Sequence, residues 1–399
     1  MSIPVRTRTA VALGRLAAAA SRRLGRGHGA IIGGRVTLRL DPAALTRLVD
    51  GRPTTIVTGT NGKTTTTRLV AEGLRVDRLV TTNRGGNMPP GLIEAAADTA
   101  ADELVLEVDE LYVPQVMIAT NADVLVLLNI SRDQLDRITE IRSIAEKWRA
   151  TLAGVTWPVR VVANCDDPLV VWAVGDHQPV VWVAAGNRWR EDSALCPNCG
   201  RVRTIPADGS WTCECGFSRP TADLVIDPAL RLQLPGEFNR SNATMALAVA
   251  SVRSVDAAAA TARMAAVDDV AGRYETVEVE GRRVRLFLAK NPASWGELIT
   301  LVEDNPATSA LLCVNARGAD GMDTSWLWDV PFERLAGRAI VASGDRCLDL
   351  SLRLRVGGVA HETIGALRPA IAALPVGAVE LFATYTAFHD VLRELQVDW

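Results

Sequence analysis

The stretch "TGTNGKTTTT", residues 58–67, has the residue types of a phosphate-binding loop. Its glycines, Gly59 and Gly62, let backbone N–H groups approach phosphates, and the start of a following helix favours negative charge. Lys63 and Thr64 suit the outer phosphates and Mg²⁺. The loop is two residues shorter between its glycines than the common G-x-x-x-x-G-K-[ST] form. We predict a nucleotide site here, because a simple glycine turn would not need this strand, spacing, lysine and threonine together.

Four of the seven cysteines form a cluster, in the segments "CPNCG" and "CECG". Each segment is typical of a knuckle-like turn whose glycine lets thiolates converge, and four thiolates suit a closed, tetrahedral Zn²⁺ site. The second pair is C-x-C rather than C-x-x-C, and reduced, metal-free cysteines are the alternative. The predicted structural zinc ligands are Cys196, Cys199, Cys213 and Cys215. The remaining cysteines, Cys165, Cys313 and Cys347, are predicted to be buried thiols.

A zinc ribbon could bind nucleic acid, which gives a competing function. However, residues 187–220 contain five arginines against four acidic residues, so this segment is barely basic. The whole chain has a net charge of -3 and offers no general attraction for a polyanion. We therefore predict no nucleic-acid partner.

Short apolar runs rich in β-branched residues alternate with helical stretches from about residue 54 onward. This alternation predicts a parallel sheet covered by helices on both faces. The pattern breaks at the cysteine cluster, which reads as an insertion over residues 187–222, and apolar alternation resumes at "DLVIDPALRLQLPG". The runs predicted to be strands are "TTIVTG", "LVLEV", "ADVLVLLNI", "VRVVAN" and "PVVWVAA".

A second α/β domain is predicted after a junction at "GRYETVEVEGRRVRLFLAKNP", which also has the pattern of a hairpin. Its further buried strands are "SALLCVNA", "RAIVASG" and "GAVELFATY". The predicted organisation is a basic, alanine-rich segment over 1–45, a central domain over 46–272 and a C-terminal domain over 273–399.

The composition is that of a globular protein, with 48% hydrophobic and 22% charged residues over 399 positions. No run of eighteen apolar residues is present, and we expect a cytoplasmic, unprocessed chain. The arginines of the N-terminal segment could contact an anionic membrane surface, or the segment could dock on the protein. Docking is the favoured interpretation.

The short loop form T-G-T-N-G-K-T is the one used by Mur ligases and the related folylpolyglutamate synthases, and the resemblance extends over about 220 residues. "LEVDE", "NISRDQLDR", "PGEFNRSN" and "GRYE" are similar to successive blocks of that superfamily. The resemblance implies that MgATP activates a carboxylate as an acyl phosphate, which an amine then attacks. The residues it assigns to nucleotide and metal are Thr60, Asn61, Gly62, Lys63, Thr64, Thr65, Glu107, Asn239, Asn242 and Arg273.

Within this set, Thr64 and Glu107 are implied to hold Mg²⁺, and Lys63 and Glu107 to act in catalysis. Asn239 and Asn242 are assigned to the base of the nucleotide, and Arg273 to its phosphates. Read without the resemblance, Glu107 and Asp109 could be solvated charges at a strand end.

Several departures from the amino-acid-adding ligases narrow the resemblance. Gln134 stands in place of a histidine, "LAKNPAS" keeps Lys290 without a neighbouring aspartate, and "ADGMDTSWLWDVPFE" and "TYTAFHDVLREL" follow. With the cysteine insertion, these features closely resemble the MurT family, the Mur-ligase-like subunits of lipid II isoglutaminyl synthase. The implied fold is α/β: a Mur-ligase-like central P-loop ATPase domain with an inserted zinc ribbon, and a C-terminal Rossmann-like α/β domain.

The resemblance implies an ATP-dependent carbon–nitrogen ligase that amidates the D-glutamate α-carboxylate of lipid II at the inner face of the cell membrane. A GatD-like glutaminase partner would supply ammonia, and Asp323 would complete a Cys-His-Asp arrangement with that partner. An Asp at this position could instead cap the helix that begins at "SWLW". The alternative functions are an amino-acid-adding Mur ligase and a zinc-ribbon nucleic-acid-binding protein.

Overall fold

The computed structural model describes residues 3–23, 30–83, 86–133, 141–187, 189–206, 209–268, 274–303 and 309–396. The chain divides into two compact units. The first unit comprises residues 1–130, 141–233 and 237–267. The second comprises residues 131–140, 234–236 and 268–399.

The first unit is built on a parallel sheet that has seven strands among the described residues, in the order β2-β3-β1-β4-β5-β6-β7. The central strands β1, β3 and β4 are buried along their whole length, as expected for a sheet covered on both faces. The strands are β1 (Thr54–Thr58), β2 (Val80–Thr82), β3 (Glu103–Glu107), β4 (Val124–Leu127), β5 (Arg160–Asn164), β6 (Val180–Ala184) and β7 (Leu224–Val225).

The helices of the first unit supply the apolar residues that pack against this sheet, and Trp148 is a fully buried side chain of that core. Local signals fix several helix ends: Asp167 caps α8 by accepting from the backbone N–H groups of Leu169 and Val170. The helices are α1 (Val5–Arg23), α2 (Ala30–Leu40), α3 (Ala44–Val49), α4 (Lys63–Leu74), α5 (Pro89–Ala96), α6 (Val113–Thr120), α7 (Ile141–Ala153), α8 (Pro168–Val174), α9 (Glu237–Val252) and α10 (Ala257–Ala265).

Helices α1 and α2 pack closely on each other through glycine. A Cβ atom on Gly14 would lie 2.6 Å from the carbonyl oxygen of Gly33, and one on Gly34 would collide with the backbone of Pro90 in α5. The N-terminal segment therefore docks on the first unit, as its favoured interpretation predicted.

The second unit contains a six-stranded sheet among its described residues, in the order β12-β11-β10-β13-β9-β8. Its strands are β8 (Tyr274–Val279), β9 (Arg282–Leu288), β10 (Ser309–Cys313), β11 (Ile340–Ser343), β12 (Glu362–Thr363) and β13 (Gly377–Ala383). Strands β8 and β9 form the predicted antiparallel hairpin, and the other pairings are parallel. The helices are α11 (Pro292–Glu303), α12 (Cys347–Val356), α13 (Leu367–Ala373) and α14 (Tyr385–Glu394), with 3-10 helices at Ser325–Asp329 and Phe332–Leu335.

Every apolar run predicted to be a strand in either half lies in a strand of the structure. The sequence reading did not identify β2, and the alternation in "DLVIDPALRLQLPG" produces only the two-residue strand β7. The domain bounds of 1–45, 46–272 and 273–399 stay predictions.

Candidate functional site

The phosphate-loop candidate follows β1 and leads directly into α4, which begins at Lys63. Gly62 precedes the helix with φ of +84°, and Gly59 has φ of +145°. A Cβ atom on Gly59 would lie 2.8 Å from the Cβ of Leu128, so the loop passes close to the residue that follows β4. Glycine is needed at both positions because side chains rarely adopt these backbone conformations.

Asn129 holds the loop in place from the end of the neighbouring strand. Its side-chain oxygen accepts the backbone N–H of Asn61 at 2.9 Å, and its amide donates to the Asn61 carbonyl oxygen at 3.0 Å. Its own carbonyl oxygen accepts the N–H of Thr60 at 3.0 Å. These three hydrogen bonds fix the backbone of the loop.

Lys63 is buried in the first turn of α4 and points back across the loop. Its Nζ donates to the carbonyl oxygens of Gly59 at 2.6 Å and Thr60 at 3.2 Å, and it forms an ion pair with Glu110 Oε2 at 3.0 Å. The ammonium thus lies under the glycine loop, where a phosphate-binding lysine is needed. Thr64 and Thr65 follow in the same helical turn and are half-buried.

Glu107 ends β3 at the same edge of the sheet as the loop, since β3 pairs in parallel with β1 and Glu107 lies beside Val57. Its side chain is 9% exposed and Oε1 accepts a hydrogen bond from Asn87 at 3.3 Å. Its backbone N–H donates to Asn83 Oδ1 at 2.8 Å. A carboxylate beside a phosphate loop has the donor chemistry that Mg²⁺ requires.

Helix α9 brings Asn242 against the loop. Asn242 Oδ1 lies 2.7 Å from where a Cβ atom on Gly62 would be. Asn242 also donates to Oδ1 of the buried Asn239 at 3.3 Å. The structure thus places Asn242 against the loop and Asn239 against Asn242, and their assignment to the nucleotide base stays a prediction. Arg273 and Gln134 lie outside the described residues.

Three polar residues of this site were not assigned from the sequence. Glu110 pairs with Lys63, and Asn83 and Asn87 hold Glu107. Glu110 could have been noticed because it is the last residue of "LEVDE", three positions after Glu107. The two asparagines follow β2, a strand of three residues that was itself missed.

The cysteine cluster is assembled as predicted. The four Sγ atoms lie within 4.8 Å of one another, with Cys199 to Cys213 at 3.4 Å and Cys196 to Cys215 at 3.7 Å. Tetrahedral Zn²⁺ with bonds of about 2.3 Å needs sulfur atoms about 3.8 Å apart, so the thiols fit this metal.

Two contacts attach the cysteine segment to the sheet. Trp211 is buried and its Nε1 donates to the carbonyl oxygen of Cys165 at 3.2 Å. Arg219 forms an ion pair with Asp166 at 2.5 Å.

Of the cysteines outside the cluster, Cys165 and Cys313 are buried, and burial raises the pKa of each thiol to about 12. Cys347 is only partly buried, so the prediction of three buried thiols is wrong at this position, because the residue begins α12 at the surface of the sheet edge.

Asp323 lies in the second unit, just before the 3-10 helix at Ser325–Asp329. Its Oδ1 accepts the backbone N–H of Ser325 at 2.8 Å, across Thr324, which holds the N-cap position. Asp323 therefore makes a local turn contact and is not the helix cap considered from the sequence. Hydrogen bonds from the Ser325 backbone and hydroxyl lower the pKa of this exposed carboxyl group. The neighbouring Met322 and Trp328 are 64% and 53% exposed. The arrangement presents a carboxylate beside uncovered apolar side chains.

The loop before Asp323 is anchored by charged contacts. Asp320 is buried and accepts the backbone N–H groups of Arg317 and Thr386. The Arg317 guanidinium pairs with Asp345 and Asp390, both at 2.6 Å. These contacts hold the loop against the ends of the sheet strands.

Lys290 gains its acidic partner from a distant part of the sequence. Its Nζ pairs with Asp133 Oδ2 at 2.6 Å, and the Asn291 amide donates to the other carboxylate oxygen at 3.3 Å. Asp133 belongs to "NISRDQLDR", so the second unit joins this motif to "LAKNPAS". Lys290 thus has an aspartate partner in space, Asp133, although none stands beside it in the sequence.

Two family models match the chain. Residues 57–198 match the Mur ligase middle domain, and residues 288–388 match the MurT ligase C-terminal domain. The fold is similar to a pseudomurein peptide ligase type C from Methanothermus fervidus, with a TM-score of 0.69 and 19% identity over 87% of this chain and 78% of that one. Fold and domain content therefore define a Mur-ligase-like α/β protein.

The similarity to MurT subunits covers most of the chain. The chain is 28% identical over 387 residues to the subunit MurT of lipid II isoglutaminyl synthase (glutamine-hydrolyzing) from Staphylococcus aureus (strain N315), and the match covers 88% of each chain. It is 29% identical to the MurT subunit from Streptococcus pneumoniae (strain ATCC BAA-255 / R6), over 85% of this chain and 84% of that one. The resemblance to the MurT family is confirmed.

Proposed function

We propose that this chain is the ligase subunit of a lipid II isoglutaminyl synthase. In this reaction ATP and ammonia convert the α-carboxylate of the D-glutamate in lipid II into an amide. The observation that carries the proposal is the combination in one chain of a Mur ligase middle domain and a MurT C-terminal domain. The relatives named as MurT subunits are similar to this chain over both domains.

The residues around β1 are suited to bind and activate ATP. Helix α4 begins directly after the glycine loop, and the N-terminus of a helix attracts phosphate. Thr58 Oγ1, at the end of β1, is buried without a hydrogen bond to any described residue. Lys63 would exchange Glu110 for the outer phosphates and stabilise negative charge during phosphoryl transfer. Asn129 keeps the loop in the binding geometry throughout.

Thr64 and Glu107 would hold Mg²⁺, which supplies charge neutralisation on the transferring phosphoryl group when bound. The substrate carboxylate attacks the terminal phosphorus of ATP and forms an acyl phosphate with release of ADP. Ammonia then attacks the acyl carbon, phosphate leaves, and the nitrogen loses a proton. Because Asn129 holds the loop and Asn87 holds the Glu107 carboxylate, the entropy cost of bringing these reactants together is lower.

Ammonia is proposed to come from a GatD-like glutaminase that docks on the second unit. The ionised Asp323 would orient the partner's catalytic histidine and stabilise its positive charge. Exposed Met322 and Trp328 beside it provide apolar area for such a contact. The reaction is proposed to occur at the inner face of the cell membrane, with lipid II as the substrate.

The cysteine cluster is proposed to hold a structural Zn²⁺ ion in a zinc ribbon. Four protein sulfur ligands leave no open coordination position for chemistry. The metal would keep the segment folded against the sheet through Trp211 and Arg219.

The test is reconstitution of the chain with a GatD-like partner, lipid II, MgATP and glutamine. Mass analysis of lipid II should show one carboxyl group converted to an amide, and omission of ATP should prevent it. Turnover with an amino acid instead, without the partner, would support an amino-acid-adding ligase and reject the proposal. Salt-sensitive binding of DNA or RNA without amidation would support the zinc-ribbon nucleic-acid hypothesis.

A further inference from the structure

The N-terminal end of the chain has a charge very different from that of the remainder. Residues 1–40 contain eight arginines and no aspartate or glutamate, and the first acidic residue is Asp41. The whole chain has 43 basic against 46 acidic residues. The positive charge is therefore concentrated on the segment that forms α1 and α2.

Helix α1 has an inner and an outer face. The inner face consists of small residues buried against the protein: Thr7, Ala10, Gly14, Ala18 and Ser21. The outer face carries large apolar side chains that remain uncovered, with Val5 at 68%, Leu13 at 44% and Leu16 at 67% exposure. Docking on the first unit thus uses one face of the helix and leaves the apolar outer face in solvent.

Arginines border this apolar outer face. Arg8, Arg15 and Arg22 follow one another at seven-residue intervals, so they lie in a row along one side of the helix. Arg23 is exposed at the end of the helix. Two arginines of the helix contact the protein: Arg6 donates to the carbonyl oxygen of Leu40, and Arg15, from the row, donates to that of Ala97 at 3.4 Å.

An apolar stripe flanked by arginines on an otherwise docked helix is typical of elements that lie in the surface of an anionic bilayer. Among the described residues no helix is long and apolar enough to cross a membrane. A protein partner fits less well, because the outer face of one helix about 28 Å long and about 10 Å wide offers about 300 Å². A stable protein interface uses about 800 Å² per partner.

We propose that the outer face of α1 binds the surface of a bilayer that contains anionic phospholipid. Val5, Leu13 and Leu16 enter the headgroup region, and Arg8 and Arg23 lie at the level of the phosphates. The helix lies parallel to the membrane and holds the chain there. This binding depends on α1 alone and does not rest on the proposed amidation reaction.

The experiment is sedimentation of the full-length chain with vesicles of phosphatidylglycerol and phosphatidylcholine in equal amounts, at low and at raised salt. We expect binding that weakens with salt and is absent with pure phosphatidylcholine vesicles. The double variant Arg8→Glu/Arg23→Glu should bind at least about 25-fold more weakly, from about fivefold for each charge lost. Leu16→Ser should weaken binding several-fold without changing its salt dependence.

The matched control is Arg283→Glu/Arg355→Glu, which makes the same charge change at exposed positions of the second unit. It should bind vesicles like the parent chain. Three results would each overturn the proposal: the control loses as much vesicle binding as Arg8→Glu/Arg23→Glu, the parent binds neutral and anionic vesicles equally, or the parent binds neither. Loss of copurification with a glutaminase partner in Arg8→Glu/Arg23→Glu, with vesicle binding unchanged, would identify the face as a protein interface instead. Unchanged thermal unfolding shows that each variant is folded.

Discussion

Lys63 forms a buried ion pair with Glu110, and in the proposed reaction the phosphates of ATP would take the place of that carboxylate. Lys63 and Glu110 are 5% and 6% exposed, and their ion pair is supported by the carbonyl oxygens of Gly59 and Thr60. A buried ammonium without a counter-ion costs desolvation free energy, and the Glu110 carboxylate offsets that cost for Lys63.

Glu110→Gln removes this counter-ion while keeping the size of the side chain. We expect the free energy of unfolding to fall by about 3 kcal/mol without nucleotide, because the buried Lys63 ammonium loses the carboxylate it pairs with at 3.0 Å. Saturating MgADP should narrow the difference between variant and parent, because phosphates replace the lost carboxylate. Thermal or urea unfolding with and without MgADP measures both values.

The matched control is Glu146→Gln, which removes an exposed partner of Arg142 and should cost less than about 1 kcal/mol. If the difference in the free energy of unfolding between Glu110→Gln and the parent stays the same with MgADP, Lys63 does not exchange Glu110 for the phosphates.

The loop and Lys63 could be predicted from the sequence because their chemistry is local and consecutive. The pairing of Lys63 with Glu110 could not, since the two residues are 47 positions apart and meet only through the parallel pairing of β1 with β3. The pairing of Lys290 with Asp133, 157 positions away, was hidden for the same reason.

At the scale of elements, Asp167 joins two parts of the first unit, the start of α8 and the segment that follows β4. It caps α8 and also accepts the backbone N–H of Ile130, directly after the loop-bracing Asn129. Burial raises the pKa of this carboxyl group to about 6, although the hydrogen bonds from Ile130, Val170 and Leu169 oppose the rise. The cap therefore titrates close to physiological pH.

This raised pKa predicts a specific pH dependence. The native state takes up a proton at about pH 6, whereas the unfolded chain does so only near 3.8, so stability increases as the pH falls through this window. Between pH 8 and 5.5 the parent should gain about 1 kcal/mol relative to Asp167→Asn, which does not titrate there. Urea unfolding of both proteins at the two pH values measures the difference. Parallel pH profiles would contradict the prediction.

The cysteine segment gives a second prediction for an element. Cys199→Ser removes one sulfur of the cluster, and we expect bound zinc to fall from about one ion per chain to nearly none. The thermal midpoint should fall with it, because the metal holds the segment on the sheet. Elemental analysis and calorimetry measure these outcomes. Cys347→Ser, a partly buried cysteine outside the cluster, should change neither, and unchanged zinc in Cys199→Ser would refute the four-sulfur site.

Elements were predictable where the apolar pattern was long enough to be distinctive. Strands such as β1 and β5 consist of five largely buried residues, and their β-branched runs are visible in the sequence. Strands β2 and β7 have three and two residues, so too few side chains alternate to give a period. They exist because neighbouring strands offer hydrogen-bond partners, which is information from the tertiary structure.

At the scale of the whole molecule, the two units carry different chemical tasks in the proposed reaction. The first unit contains the loop, Lys63 and Glu107, which would act on ATP and the substrate carboxylate. The second presents Asp323, whose proposed role is in the partner's hydrolysis of glutamine. In the proposed reaction, glutamine hydrolysis and amidation are connected only by ammonia. Ammonia supplied directly should therefore make amidation independent of glutamine hydrolysis.

Asp323→Asn tests this separation in the reconstituted complex. Asparagine can still accept the backbone N–H of Ser325, so the variant removes the negative charge and keeps the local turn contact. Glutamine-dependent amidation of lipid II should fall at least about 100-fold, because the partner's histidine loses its orienting carboxylate. Amidation with added ammonium chloride should stay within about twofold of the parent, since the ATP site is untouched. Lys63→Ala should abolish amidation with either nitrogen source.

The control for this separation is Asp256→Asn, the same chemical change at the cap of α10, where the side chain accepts the N–H of Ala259 at 2.8 Å. This variant should keep both activities, because its carboxylate serves only the helix. If Asp323→Asn behaves in the same way, with glutamine hydrolysis intact, then Asp323 serves only its local turn and the partner's catalytic arrangement must be complete without it. Loss of amidation with glutamine and with ammonium chloride in Asp323→Asn would instead indicate that the residue supports the ligase reaction itself.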